Sequence, residues 1–213
     1  MKIFVINLDS AKDRWSHYEN DSRYTRWSAT SVDDLSDYHP IFKDMVSYWN
    51  IDPNEHNCKC ACYMSHTRLW RYIIDNHLED VLILEDDAEL VNPIPDTCDL
   101  PQDGFTYLGG FTSHLRLTDG PKKVEFEEGI NTIDHSKYRM LMLMAYYIPH
   151  WSVAHKMLQA VTERGRPRAI DTMVRHTWRK QYVSYPASFI ERHDKSQIRK
   201  NKKKHSNEFY EWC

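Results

Sequence analysis

Residues 81 to 90, VLILEDDAEL, constrain the fold more than any other segment of this chain. Four apolar residues, Val81 to Leu84, run straight into Glu85, Asp86 and Asp87. A short apolar run with polar flanks reads as a strand buried on both faces. Strand side chains alternate sides, so Glu85 and Asp87 are expected to point the same way. Two carboxylates converging at a strand end repel each other unless a cation lies between them. Mg²⁺ and Mn²⁺, hard and oxygen-seeking, suit that place. Ligands of open α/β sheets also bind at the carboxyl ends of strands. The segment points to a metal-assisted site in an α/β enzyme. The plainer reading stands beside it: Asp87 caps a short helix and the other acids are solvated.

The rest of the chain supplies the layers that such a strand needs. KIFVINL, residues 2 to 8, reads as a first buried strand, and Ser10-x-x-Asp13 as a capped helix start running to about Ser22. Arg23 to Ala29 reads as a second strand, and Ile41 to Trp49 as a short helix. Residues 58 to 77 give the clearest helix, with His66, Leu69, Trp70, Ile73, Ile74 and His77 at helical spacing. Pro93, Pro95 and Pro101 mark a surface loop over 92 to 103. Residues 104 to 111 read as a strand ending in Gly109-Gly110, and 112 to 135 as an irregular hairpin with Asp119-Gly120 at its turn. Met140 to Ile148 is a strand, Ser152 to Arg164 and Ala169 to Arg179 are helices, and Tyr182 to Tyr185 is a short strand. This alternation predicts a mostly parallel central sheet flanked by helices on both faces.

Composition narrows the function classes. The chain has 213 residues, 41% of them hydrophobic, enough for one full core. A net charge of −3 supplies no basic field for nucleic acid. No apolar run approaches the length of a membrane span. An odd cysteine count of 5 and no secretory leader favour a reducing, cytoplasmic setting. Cys58, Cys60 and Cys62 lack the C-x-x-C spacing of a zinc site and read as small, half-buried helix residues. Residues 1 to 195 are expected to form a single domain. Residues 196 to 213 form a basic polar tail, either solvated or a linker to a further domain.

Four other places carry candidate chemistry. Asn7 ends the first strand and can bond a base or ribose, while Arg14 can pair with a phosphate. No G-x-G-x-x-G or P-loop pattern is present. His66 shares a face with Leu69, Trp70 and Ile73, the position of a satisfied core histidine more often than of a catalyst. Adjacent Ser65 diverges from it, so the two make no nucleophile–base pair. Asp171 follows a Gly/Pro break, either as a helix-start acid or as a general base. Near the end, His193 is a candidate metal ligand and Arg192 a candidate phosphate ligand.

VINLDSAKDRW, CYMSHTRLW, VLILEDDA and the later AID together resemble glycosyltransferase family 25, which includes lipopolysaccharide-type glycosyltransferases and collagen galactosyltransferase domains. The resemblance runs in order over roughly residues 1 to 195. RWSATS, 26 to 31, resembles the end of the family's second strand. Ala61 stands where the family usually has glycine. The resemblance implies an α/β, GT-A-like fold and a nucleotide-diphospho-sugar donor, UDP-linked. It further implies Mn²⁺ or Mg²⁺, a glycan or glycoprotein acceptor, and inversion. By the same resemblance, Glu85 and Asp87 ligate the metal, and His193 is the further candidate ligand read from the residues themselves. Asn7, Leu8, Arg14, Ala29, Thr30, Ser65, His66 and Asp86 hold the donor, and Asp171 is the base. Two rivals stay open on the residues alone: a metal-dependent phosphohydrolase or nucleotidyltransferase, and a non-catalytic glycan-binding module.

Overall fold

A computed structural model describes residues 1–37, 53–114, 126–135, 138–163, 169–177, 180–192 and 210–211. The expected helix at Ile41 to Trp49, the Asp119-Gly120 turn, His193 and most of the basic tail lie outside the described residues.

The central sheet runs β2-β1-β3-β7-β5-β8-β6, with β10 on β5. Its strands are β1 (Lys2–Asn7), β2 (Tyr24–Ser28), β3 (Glu79–Glu85), β5 (Phe105–His114), β6 (Gly129–Thr132), β7 (Tyr138–His150), β8 (Gln181–Tyr185) and β10 (Tyr210–Glu211). A separate ribbon pairs β4 (Ala88–Leu90) with β9 (Phe189–Glu191). The helices are α1 (Lys12–Trp15), α2 (Pro53–Asp75), α3 (Trp151–Thr162) and α4 (Ile170–Thr177).

The sheet is mixed. β1 pairs in parallel with β2 and β3, and β5 with β8, as strand–helix alternation requires. β7 enters between β3 and β5 and runs antiparallel to both. The run Met140 to Ile148 does not reveal this, because a strand buried on both faces reads alike in either direction.

Period-two alternation divides the core. Phe4, Ile6, Val81, Ile83, Tyr107, Tyr146 and Ile148 pack on one face with Leu69, Trp70 and Ile73 of α2 and with α3 and α4. Ile3, Val5, Leu82, Leu84, Ala145 and Tyr147 face the other way. That second face is covered by α1 with its following turns, the 92–103 loop and the β4–β9 ribbon, not by long helices. Among the described residues no helix is long and apolar enough to cross a membrane.

Two helices differ from expectation. α1 spans one turn instead of reaching Ser22, and its cap position is Ala11, without a side-chain cap bond. Turns replace the helix because Trp15 and Tyr18 stack together, the Tyr18 hydroxyl donates to the Ala88 carbonyl, and Arg14 turns inward to Asp86. α2 stops at Asp75, and His77 takes a left-handed φ of 49° beyond its end, so His77 leaves the buried stripe.

Gly109 does not end its strand. It marks an irregularity in the β5–β7 register, and β5 continues to His114. A Cβ there would lie 2.6 Å from the Phe189 carbonyl oxygen and 2.9 Å from Met144 Cε. Gly109→Ala is therefore expected to cost about 1–3 kcal/mol in urea unfolding. A midpoint equal to wild type would contradict this close packing of β5 on β9.

Candidate active site

The site grows from the register of three strands. Ile6 pairs with Glu85, which sets the ends of β1 and β3 side by side. Asn7 therefore meets Asp86: its Nδ2 donates to Asp86 Oδ2 at 2.8 Å and to the Ala11 carbonyl at 3.1 Å. Arg14 Nη1 donates to Asp86 Oδ1 at 2.6 Å. Arg26 Nε donates to Asn7 Oδ1 at 2.8 Å, and Arg26 Nη2 donates to the Leu8 carbonyl at 3.1 Å. Asn7 is 1% exposed and Arg14 7%, so both brace the acidic turn. Burial raises the Asp86 pKa, and Arg14 is the chief opposing influence.

Alternation ends with β3. Glu85 keeps the helix-facing side of Val81 and Ile83, while Asp86 and Asp87 sit in the turn beyond the strand. Glu85 and Asp87 thus do not project as a strand pair. Glu85 Oε1 is 3.2 Å from His66 Nε2. A carboxylate only accepts, so Nε2 carries the proton and donates. His66 Nδ1 then accepts from the Tyr146 hydroxyl at 2.9 Å, whose oxygen accepts from Trp70 Nε1 at 2.8 Å. His66, 1% exposed, is a satisfied buried histidine aimed at the site edge.

Asp87 is the anomalous group. Oδ2 lies 3.8 Å from Arg14 Nη1, and Oδ1 is buried without a partner among the described residues. The Asp87 carbonyl accepts from the Arg192 backbone N–H at 2.6 Å, which ties the turn to the end of β9. Burial pushes the Asp87 pKa from 3.8 to about 8, with Glu85, Asp86 and Glu191 adding repulsion and Arg14 opposing it. Glu191 was not singled out from sequence, since its approach depends on the β4–β9 register, Ala88 to Glu191. Arg192 Nη1 is also buried without a partner among the described residues, and its guanidinium lies over the Tyr18 ring.

The remaining expected residues collect around the same strand ends. The Ala29 N–H donates to the Asn7 carbonyl at 3.0 Å. The Thr30 N–H donates to Ser65 Oγ at 2.9 Å, and Arg68 Nη1 donates to Thr30 Oγ1 at 2.9 Å. Ser65 Oγ donates to the Ala61 carbonyl, so Ser65 and His66 do diverge. Asp171 opens α4, with Oδ1 accepting from the Thr172 N–H at 2.6 Å and Oδ2 from the Met142 N–H at 3.3 Å. Burial first, then Glu85, Asp171 and Asp87, holds the Cys62 thiol well above its usual range, which places all three acids around α2's end of the site. Tyr146 and Trp70 were missed as polar partners; the only signal was a hydroxyl and an indole N–H inside apolar patterns.

The family model Glycosyltransferase family 25 (LPS biosynthesis protein) matches residues 1–174. The chain belongs to that family and is a glycosyltransferase, with a sugar donor and an acceptor as its substrates. No curated protein matches it.

Asp87 sets a pH dependence. Its folded pKa lies above its unfolded value, so its contribution to stability is complete below about 3.8 and is lost as pH rises through about 8. Urea unfolding in EDTA should show stability falling across that window. Asp87→Asn should flatten the fall. An undiminished slope in Asp87→Asn would assign the titration to another group.

Proposed function

We propose that this protein moves a sugar from a nucleotide-diphospho-sugar, UDP-linked, to a hydroxyl of a glycan or glycoprotein, with inversion at the anomeric carbon. One observation carries the reading beyond the family: the unpartnered, buried Asp87 oxygen at the end of β3, crowded by Glu85, Asp86 and Glu191. Three acids around one orphaned oxygen of a fourth fit a hard divalent cation. Asp87, with Glu85 at its edge, would hold Mn²⁺ or Mg²⁺, and Glu191 is a further acid within reach. His193, also proposed as a ligand, follows directly after Arg192 in the chain. Such an ion, when bound, supplies positive charge against the leaving diphosphate.

The chain's own residues supply the rest. Arg14 and Asn7 hold Asp86 and so orient the turn that carries Asp87. The Leu8 backbone and the Ala29-Thr30 segment, braced by Ser65 and Arg68, border the ends of β1 and β2, where the nucleotide is expected to lie. The acceptor hydroxyl forms the new bond to the anomeric carbon as the bond to the diphosphate oxygen breaks. Asp171 takes the hydroxyl proton, its carboxylate oriented by two backbone N–H groups.

Calorimetry with a panel of nucleotides and nucleotide-sugars, in Mn²⁺ and then in EDTA, tests the donor. Binding of one nucleoside diphosphate only with metal, lost in Asp87→Ala, is expected. Binding of no nucleotide under either condition would remove the transferase chemistry from this site and leave a glycan-binding module.

Asp171→Asn should lower kcat by at least about 100-fold while donor affinity stays within a few-fold. Loss of donor binding instead would move Asp171 out of the acceptor side.

A further inference from the structure

Cys62 and His66 stand four residues apart on α2, one helical turn, and both face Glu85 at the end of β3. The cysteine sulfur, a histidine ring nitrogen and a Glu85 carboxylate oxygen all lie within 4.8 Å of one another. We propose that Cys62, His66 and Glu85 bind a thiophilic divalent ion of the zinc class, at a place distinct from the Asp87 pocket.

Distances permit it. Zinc–ligand bonds of about 2.0–2.3 Å put tetrahedral donors roughly 3.3–3.8 Å apart. His66 Nε2 and Glu85 Oε1 are already 3.2 Å apart, so closing the set asks about 1 Å of the sulfur. Donor chemistry selects the ion: thiolate and imidazole favour zinc over Mg²⁺ or Mn²⁺, which suit the all-oxygen surroundings of Asp87. The histidine also has the support that metal-bound rings need. Its other nitrogen is held by the Tyr146 hydroxyl, which is held in turn by Trp70. The Glu85 side chain keeps 27% of its exposure, which leaves the ion a way in.

Binding shifts the ring proton from Nε2 to Nδ1, where the Tyr146 oxygen accepts it, and releases the thiol proton to water. No redox change is involved. Glu85 stands between the two places, but this site does not rest on the transferase reading.

The test is a Co²⁺ titration of the full chain, stripped of metal and kept reduced by a phosphine. One equivalent should give a thiolate-to-cobalt charge-transfer band with four-coordinate visible bands, both erased by one equivalent of Zn²⁺. Cys62→Ser should abolish the charge-transfer band, and Cys58→Ser should keep it. Tyr146→Phe should weaken Co²⁺ binding about 10-fold. Asp87→Ala should keep the band while losing Mn²⁺-dependent nucleotide binding, so each reading fails separately. No charge-transfer band at stoichiometric Co²⁺, or a band that survives Cys62→Ser, overturns the proposal. Should Cys62→Ser not fold, Cys62→Ala decides: loss of the charge-transfer band supports the site, and a band that persists overturns it.

Discussion

The Arg14–Asp86 ion pair, only 2.6 Å long and closed off from water, is what the acidic turn depends on. Asp86 satisfies Arg14 and Asn7, and Asn7 in turn receives Arg26. One buried carboxylate thereby joins β1, β2, α1 and the end of β3. Such pairs add little net stability, but removing one partner strands the other charge, at a cost of about 3–5 kcal/mol. The pair acts as a register pin. With Asp86 spoken for, Asp87 keeps only the more distant reach of Arg14, at 3.8 Å.

The site therefore divides its acids by role. Asp86 is neutralised from within, Glu85 is held by a histidine at the helix face, and Asp87 is crowded by like charges. Uncompensated burial of a carboxylate is costly, and Asp87 meets that cost by keeping its proton up to about pH 8.

Much of this was legible in the sequence, for definable reasons. β1, α2, β3 and β7 each carry a periodicity strong enough to stand alone, and the resemblance to family 25 rests on three of them. The one-turn α1 was not legible, because the chain leaves the helix after Trp15 only when Asp86 and Ala88 are present to receive Arg14 and Tyr18. The strand alternation expected to align Glu85 with Asp87 does not reach Asp87, because β3 ends at Glu85 and a turn follows. Glu191 was hidden because it arrives only through the β4–β9 register, and the Trp70–Tyr146–His66 chain because contacts 76 and 80 residues apart leave no mark in a local pattern. Asp171 was visible, but its hold on Met142 was not.

The β4–β9 ribbon has a consequence for how the molecule comes into being. The Asp87 carbonyl waits for the N–H of Arg192, and Ala88 waits for Glu191. A nascent chain carries the acidic turn for about a hundred residues before its partner emerges. Until then the turn is held by Arg14, Asn7 and the Tyr18 hydroxyl on Ala88. The sheet's N-terminal half can form during synthesis, whereas the pocket around Asp87 closes only when nearly all of the described chain has been made.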